Sequence, residues 1–366
     1  MFNRLCSIEN LYEAFCNARS NKRGRDTVAC FEYRLEEYLF DLQQGLLRKT
    51  YAPGHYHSFY IHEPKRRLIS ASPFRDRVVH HALCKLLEPL FEPSFIFDTY
   101  ANRVGKGTHK ALSRAQSFAR RYRYVLQCDV KKFFPSIDHQ VLLYEISRKI
   151  CDLDVLWLVK IILDGGKGVL DEEYSMTFFP GDDLLATFRP RGQPIGNLTS
   201  QFWANVYLNP FDHCVKRELG CKGYVRYVDD FLLFANSKRE LWFYHQEIIK
   251  RLQQFRLEIH KGTHPRPVTE GFPFLGFHLS PNSRRLKRRK GIHYQRKLRR
   301  MAEDYADGKL QLSEVDAKVR GWINHVRYGN TVGLRKKLLR CTVFRRNNAS
   351  YQKVNIRESE PYDRHR

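Results

Sequence analysis

The stretch that most constrains this chain is YVRYVDDFLLFANS, residues 224–237. Its β-branched and aromatic residues predict a strand–turn–strand hairpin with buried strands. Two adjacent carboxylates, Asp229 and Asp230, lie in the middle of this apolar run. Burial of an unpaired carboxylate is costly, and neighbouring carboxylates repel each other. An Asp-Asp pair alone would suit an ordinary polar turn, so the interpretation depends on what else the chain places beside it.

A second acidic strand supplies that context. The segment YVLQCDVKKFFPSID, residues 124–138, places Asp129 at the end of an apolar run. If this strand lies beside the hairpin, the carboxylates of Asp129 and Asp229 converge. Magnesium takes one or two carboxylates and completes its shell with water and substrate phosphates. The pattern therefore favours a two-metal phosphoryl-transfer site over a simple turn.

The charge of the chain indicates a polyanionic partner. Lys and Arg number 64 against 39 Asp and Glu, a net charge of +25 over 366 residues. Such a field attracts nucleic acid. No apolar run is long enough to span a membrane and no signal peptide is recognisable, so a cytoplasmic protein with no membrane partner is expected. The nine cysteines form no Cys-x-x-Cys pair and are expected to be free thiols.

The apolar spacing predicts helices that alternate with short strands, an α+β class. Residues 1–50 and 139–165 have helical spacing, and two short strands precede a helix that starts near Phe74. Further along, NLTSQFWANVYLNPFDHCVKREL is predicted to be one long helix and FPFLGFHLS a strand. From Ser283 to about residue 340 the chain is predicted to be basic and helical.

Two segments carry no recognisable chemistry. Residues 166–191 are predicted to form an irregular insert, whose Gly-Asp-Asp is interpreted as a turn. The tail from Asn347 has little apolar content and is predicted to be mobile.

The ordered series of motifs resembles the reverse transcriptases. YVDD at 227–230 is similar to their Tyr-x-Asp-Asp hairpin, and DVKKFFPSID to their first acidic motif. Four further segments match family motifs in the same order: KRRLISASPFRDRVVHHAL, YANRVGKGTHKAL, GQPIGNLTSQFWANVYL and FLGFHLS. The resemblance covers about residues 25–340. Several motifs in order are far more specific than any one of them.

The resemblance implies a right-hand polymerase with fingers, a ferredoxin-like antiparallel palm and a helical thumb. The implied domains are an N-terminal segment with fingers (1–125), a palm (126–281, with fingers helices at about 140–205), a basic helical thumb (282–345) and a flexible tail (346–366).

The resemblance also assigns the acids. Asp129 and Asp229 would hold two Mg²⁺ ions, with Mn²⁺ as an alternative, and Val130 would be a further metal ligand. Asp230 would be a supporting third acid, more replaceable than Asp229. Tyr227 would shape the turn near the primer end.

The incoming nucleotide would be held by residues of the fingers and palm. Phe134 matches the bulky residue that lies under the sugar and excludes a 2′-hydroxyl, which implies deoxynucleotides; Phe133 is the better candidate for a core position. Arg67 and Arg75 match basic positions that clamp the triphosphate, where guanidinium groups suit phosphate oxygens, and Lys65 and Arg66 are further candidates. A solvated basic strand is the alternative for any one of them.

One segment departs from the usual family pattern. Ile195, before Gly196, replaces a glutamine beside the nascent base pair, and Gln201 replaces a proline. Isoleucine packs but cannot hydrogen-bond, and losing one such bond weakens discrimination by about 1–2 kcal/mol. This pattern is typical of diversity-generating retroelements, which copy an RNA with errors at adenines. The alternative is an antiviral-defence enzyme that makes cDNA from a non-coding RNA.

The C-terminal part is expected to hold the primer and template. Leu275 and Gly276 match the primer-gripping strand. Arg288, Arg289 and Lys290 belong to residues 283–300, in which ten residues are Lys or Arg. A helix with this density follows a phosphate backbone, and His293 and Tyr294 are candidates for packing on sugars or bases.

The expected partners are template or non-coding RNA, the cDNA product, dNTPs and an accessory protein. No ribonuclease H or endonuclease domain is expected after residue 345. An RNA-binding scaffold with an inactive site is one alternative, which the presence of all three acids opposes. A nucleotide cyclase with a related palm is another, which the basic charge and the fingers and thumb motifs oppose.

Overall fold

The computed structural model describes residues 1–62 and 66–347. Lys65 and residues 348–366 lie outside this part of the chain. The chain divides into two compact units, the first from Met1 to Glu270 and the second from Gly271 onward. The second unit thus begins before residue 282, the predicted start of the thumb.

The first unit contains most of the helices. Its helices are α1 (Phe2–Leu5), α2 (Ile8–Arg19), α3 (Asp26–Tyr33), α4 (Leu35–Leu47), α5 (Phe74–Phe91), α6 (Thr108–Arg121), α7 (Phe133–Ser136), α8 (His139–Ser147), α9 (Leu153–Gly165), α10 (Leu198–His213) and α11 (Lys238–Gln254). Its strands are β1 (His57–Ile61), β2 (Arg67–Ala71), β3 (Tyr124–Asp129), β4 (Gly223–Tyr227), β5 (Asp230–Ala235) and β6 (Arg266–Pro267).

A four-stranded sheet in the order β4-β5-β3-β6 forms the centre of the first unit. All of its pairings are antiparallel. Along the chain, β3 is followed by helices, then by β4 and β5, by helix α11 and by β6. This succession, combined with the order of the strands in the sheet, is the ferredoxin-like topology. The α+β class and the ferredoxin-like antiparallel sheet are confirmed.

Helices cover both faces of this sheet, which explains the unbroken apolar run in β5. Phe231 and Phe234 point to opposite faces because strand side chains alternate. Phe231 packs edge-on against Phe211 of α10, and Phe234 packs against Phe118 of α6. All four rings are buried. No helix in the described part of the chain is long and apolar enough to cross a membrane.

The second unit combines a small sheet with three helices. Strands β7 (Phe272–Phe274), β8 (Phe277–Leu279) and β9 (Arg284–Leu286) form an antiparallel sheet in that order. The helices are α12 (Arg288–Ala306), α13 (Leu312–Val326) and α14 (Val332–Arg340).

Two predictions for the second unit are wrong in detail. The segment FPFLGFHLS is a hairpin rather than one strand, because Leu275 and Gly276 have positive φ values of 45° and 88° and turn the chain. The helical region begins at Arg288 rather than Ser283, because residues from Arg284 pair with β8 instead.

A stacked aromatic pair organises the core of the second unit. Tyr294 lies on Trp322 with ring centroids 3.8 Å apart and planes 2° apart. Leu298 and Leu338 are buried in the same cluster. Because Tyr294 is buried here, its predicted packing on sugars or bases is wrong; His293 next to it is exposed.

Candidate active site

The two central acids lie where β4 turns into β5. Tyr227 pairs with Asp230, so Val228 and Asp229 form a two-residue hairpin turn. Val228 has a φ of 59°, which is unusual for a β-branched residue and marks a locally strained turn. The predicted hairpin is confirmed.

Strand β3 brings Asp129 beside this turn. Asp129 is the register partner of Asp230. The backbone N–H of Val130 donates to the carbonyl of Asp229 at 3.2 Å. The two acidic strands, a hundred residues apart in the sequence, therefore end at the same edge of the sheet.

The electrostatics show that the charge of Asp129 acts on Asp229. Burial raises the pKa of Asp229 to about 6, with the negative charge of Asp129 as the second cause. The positive charges of Arg67 and Arg226 act in the opposite direction on the same pKa. The side chain of Asp129 is 46% exposed. Asp229 is thus a partly buried carboxylate for which a cation at the solvent side would offset repulsion and burial.

Asp230 has a different environment. The side-chain amide of Gln127 donates to its Oδ1 at 3.1 Å. A protein donor already satisfies part of this carboxylate, whereas Asp229 faces the charge of Asp129. The unequal roles predicted for the two neighbouring acids have a structural basis in this difference.

The donor set fits a hard cation that keeps water and substrate ligands. Across residues 1–62 and 66–347, no group of three or more His, Cys, Asp and Glu side chains is arranged as a metal cage. Two carboxylates, Asp129 and Asp229, are what Mg²⁺ sites with substrate phosphates use. The side chain of Val130 contains no ligand atom, so only its backbone carbonyl can serve as the predicted further ligand.

Beneath the turn lies an arginine that the sequence analysis missed. Arg226 and Asp212 form an ion pair in which both side chains are fully buried. The only sequence signal was a charged residue inside the apolar run before the acids. On the other side of the turn, the hydroxyl of Tyr227 lies 3.1 Å from that of Thr108, at the start of α6.

The two phenylalanines after Asp129 are not equivalent. Phe133 is buried in the core, whereas Phe134 is only partly buried and packs edge-on against it, 5.4 Å between centroids. The carbonyl of Phe134 accepts a hydrogen bond from the N–H of Gln193 at 2.9 Å. The assignment of Phe133 to the core is confirmed, and the sugar-excluding role of Phe134 stays a prediction.

The segment that differs from the usual family pattern, residues 195–201, lies against strand β2. The N–H of Ser70 donates to the carbonyl of Ile195 at 2.9 Å. Gly196 has a φ of 126°, and a Cβ there would lie 3.3 Å from Cγ2 of Ile69, so glycine fits both the backbone and the space. Gln201 is exposed on the first turn of α10.

The basic fingers residues divide into two kinds. Arg67, at the start of β2, is exposed, and its charge acts on Asp229. Arg75 is engaged elsewhere: it donates to the carbonyl of Ala52 at 2.5 Å and lies over the ring of Tyr51. The phosphate-binding role of both residues stays a prediction. Lys65 lies outside the described residues.

The predicted primer and template residues other than Tyr227 belong to the second unit. Leu275 and Gly276 form the β7–β8 turn, and the N–H of Lys287 donates to the carbonyl of Gly276 at 3.1 Å. The side chain of Lys290 lies against Gly276, and burial, followed by the charge of Lys287, lowers the pKa of Lys290. Arg288 and Arg289 are exposed on the first turn of α12.

The insert at 166–191 is held by a second buried arginine. Arg189 makes two hydrogen bonds of 2.8 Å to Asp182 within the insert. It also lies 3.4 Å from Asp138, which caps the start of α8. The Gly-Asp-Asp of the insert is a turn-forming segment that carries this clamp, in agreement with its interpretation as a turn.

Comparisons with known proteins agree with this geometry. The family described as "Reverse transcriptase (RNA-dependent DNA polymerase)" matches residues 61–279. Group II intron-encoded protein LtrA of Lactococcus lactis subsp. cremoris is 28% identical over 213 residues, 56% of this chain and 33% of LtrA. Protein YkfC of Escherichia coli (strain K12) is 25% identical over 293 residues, 67% of this chain and 72% of YkfC.

The chain spans about a third of the length of LtrA. Among solved structures, apo telomerase from Candida tropicalis matches with a TM-score of 0.47 and 11% identity, over 64% of this chain and 49% of the telomerase chain. The family match covers more than half of the chain and includes both acidic strands. This chain therefore belongs to the reverse transcriptase (RNA-dependent DNA polymerase) family.

Proposed function

We propose that this chain is an RNA-directed DNA polymerase, a nucleotidyltransferase that copies a template RNA into cDNA from dNTPs. The observation that carries the proposal is the placement of Asp129 and Asp229 at one edge of the central sheet, inside the region that matches the family. The similarity to LtrA, a group II intron-encoded protein, supports a retroelement origin.

The acids have a defined task in this proposal. Two Mg²⁺ ions, or Mn²⁺ in their place, would stabilise the attacking and leaving oxygens of an in-line phosphoryl transfer when bound. Asp129 and Asp229 would hold them, with the carbonyl of Val130 as a further ligand. Arg67 binds triphosphate oxygens on the same side, because its charge already acts on Asp229.

The remaining residues give the polymerase its selectivity. Phe134 excludes the 2′-hydroxyl of a ribonucleotide. Ile195 offers packing but no hydrogen bond beside the nascent base pair, so we propose error-prone copying as in diversity-generating retroelements. The first unit supplies fingers and palm, and the basic face of α12 in the second unit binds the phosphate backbone of the primer–template duplex. An accessory protein is a further expected partner.

Primer extension on a defined RNA template tests the proposal. We expect Mg²⁺-dependent incorporation of dNTPs by the purified full chain, with errors concentrated at template adenines. Absence of incorporation with either Mg²⁺ or Mn²⁺ would favour the RNA-binding scaffold. Uniform accuracy at adenines would instead reject the mutagenic type and leave the defence-type enzyme.

Two substitutions test the selectivity residues. Phe134→Ala should admit ribonucleotides, whereas Phe133→Ala, its buried neighbour, should reduce stability without changing sugar selection. Ile195→Gln should lower the error rate at adenines by roughly tenfold, the equivalent of one hydrogen bond. Continued ribonucleotide exclusion, or an unchanged error spectrum, would reject the respective role.

A further inference from the structure

The buried ion pair beneath the acid-bearing turn has an unusually complete set of contacts. Nε of Arg226 donates to Oδ1 of Asp212 at 2.7 Å, and Nη2 donates to Oδ2 at 2.5 Å. The hydroxyl of Tyr224 donates to the same carboxylate at 2.8 Å. Both charged side chains have 0% exposure. A buried pair of this kind is weak evidence for stability alone, since apolar residues of similar size often do as well.

The third arm of the same guanidinium reaches the turn. Nη1 of Arg226 donates to the carbonyl of Val228 at 2.9 Å and to Oδ1 of Asn205 at 3.3 Å. Val228 is the residue with the positive φ of 59°, and Asp229 follows it directly. The hydrogen bond therefore fixes the peptide group that joins Val228 to Asp229.

The backbone of Arg226 is anchored as well. Its N–H donates to the carbonyl of Asp98 at 3.0 Å, and its carbonyl accepts from the N–H of Tyr100 at 3.1 Å. Asn205, which contacts Nη1, donates in turn to the carbonyl of Ala101 at 2.9 Å. The guanidinium is thus held from helix α10 and the backbone of Arg226 from the 98–101 segment, so Arg226 gives the turn a fixed support.

We infer that Arg226, oriented by Asp212, is a positioning residue for Asp229: it holds the carbonyl of Val228 and thereby keeps the strained turn in the conformation that presents Asp229 beside Asp129. Arg226 is too deeply buried to touch substrate. The inference rests on the proposed function only in taking Asp129 and Asp229 as metal-binding acids.

The test measures metal binding directly, without template or nucleotide. Mn²⁺ binding to the purified full chain is followed by electron paramagnetic resonance, with Asp229→Asn as the background. Arg226→Lys keeps the charge but replaces the planar guanidinium fork with a single ammonium nitrogen, which cannot reproduce the two-point pair with Asp212 and the hydrogen bond to Val228 together. We expect it to weaken Mn²⁺ binding about 10–100-fold, as loss of a residue behind a metal ligand does. Asp212→Asn should act in the same direction, and the double variant should be far from additive.

A matched control separates positioning from general damage. Arg189→Lys breaks another buried, two-point arginine–aspartate pair, which lies in the insert. It should reduce thermal stability and leave Mn²⁺ affinity unchanged. If Arg226→Lys does not fold, Asn205→Ala leaves the Arg226–Asp212 pair in place and removes the contact of Oδ1 with Nη1, together with the hydrogen bond to Ala101. It should weaken Mn²⁺ binding severalfold.

The outcomes are separable. Wild-type Mn²⁺ affinity in folded Arg226→Lys, or an equal loss in Arg189→Lys, overturns the inference, as does absence of Mn²⁺ binding by the wild-type chain. A wild-type chain that binds Mn²⁺ with the expected dependence on Arg226, but synthesises no DNA, refutes the proposed function and supports the positioning role.

Discussion

Two hairpin turns of this chain reach a positive φ by different means. At 228–229, Val228 has a φ of 59° although valine disfavours it; at 275–276, Leu275 has a φ of 45° and is followed by a glycine at 88°. Glycine helps to specify the second turn locally. The first is specified by the fold, through the hydrogen bond from buried Arg226 to Val228. The turn that carries the proposed metal ligand Asp229 therefore depends on residues far away in the sequence, since Asp212 and Asn205 hold Arg226 in place.

The acid of the first turn gives the largest expected effect. Asp229→Asn removes one of the two converging carboxylates and should reduce DNA synthesis by roughly 10³-fold or more, since several kcal/mol of transition-state stabilisation depend on bound metal. Primer extension and RNA binding are measured together, and RNA affinity should change little. Asp230→Asn, whose carboxylate already has Gln127 as a donor, should lose less activity. Equal losses would remove the distinction between the two acids.

The same acid makes the metal-free protein sensitive to pH. The pKa of Asp229 is raised from 3.8 to about 6, so the folded state retains a proton that the unfolded state releases. Stability therefore falls as pH rises from about 4 through 6 and stays lower above that, by about 2–3 kcal/mol.

The Asp229→Asn variant should not lose stability between pH 4 and 6 in this way, because it has no carboxyl group at this position. With EDTA present, its free energy of unfolding should exceed that of the wild type at neutral pH, and the difference should shrink as pH falls below 6. Urea denaturation over this pH range measures both. Parallel pH profiles for the two proteins would show that Asp229 is not destabilised by burial and by Asp129.

The two turns also show what the sequence could reveal. Apolar runs that end in acids define β3, β4 and β5 because burial and strand alternation are local patterns. Arg226 and Asp212 meet only after α10 folds against the sheet, so no local pattern predicts their pairing. Tyr294 was misassigned for another reason. The dense basic residues around it hid the buried face of the predicted helix, which consists of Gly291, Tyr294, Leu298 and Met301.

In the second turn, the addition of a single methyl group at Gly276 is expected to destabilise the protein. Gly276→Ala places a Cβ at a φ of 88° and against the side chain of Lys290, so it should lower the free energy of unfolding by about 1–2 kcal/mol. Gly333→Ala is the matched control, because Gly333 lies in α14 with open space around it. That change should be neutral or stabilising by up to about 1 kcal/mol. Equal effects would show that the β7–β8 turn does not require glycine.

The smallest effects are expected from a single substitution, to asparagine, made in each of the two turns. Asparagine tolerates a positive φ, and Leu275→Asn creates an Asn-Gly turn, which should stabilise the hairpin by about 0.5 kcal/mol. Val228→Asn relieves strain but removes a side chain that packs against the hydrophobic core of the first unit. We therefore expect the free energy of unfolding to fall by about 1 kcal/mol. Equilibrium denaturation distinguishes the two signs. A stabilising Val228→Asn would mean that local backbone preference, rather than packing and the Arg226 support, governs the turn that carries Asp229.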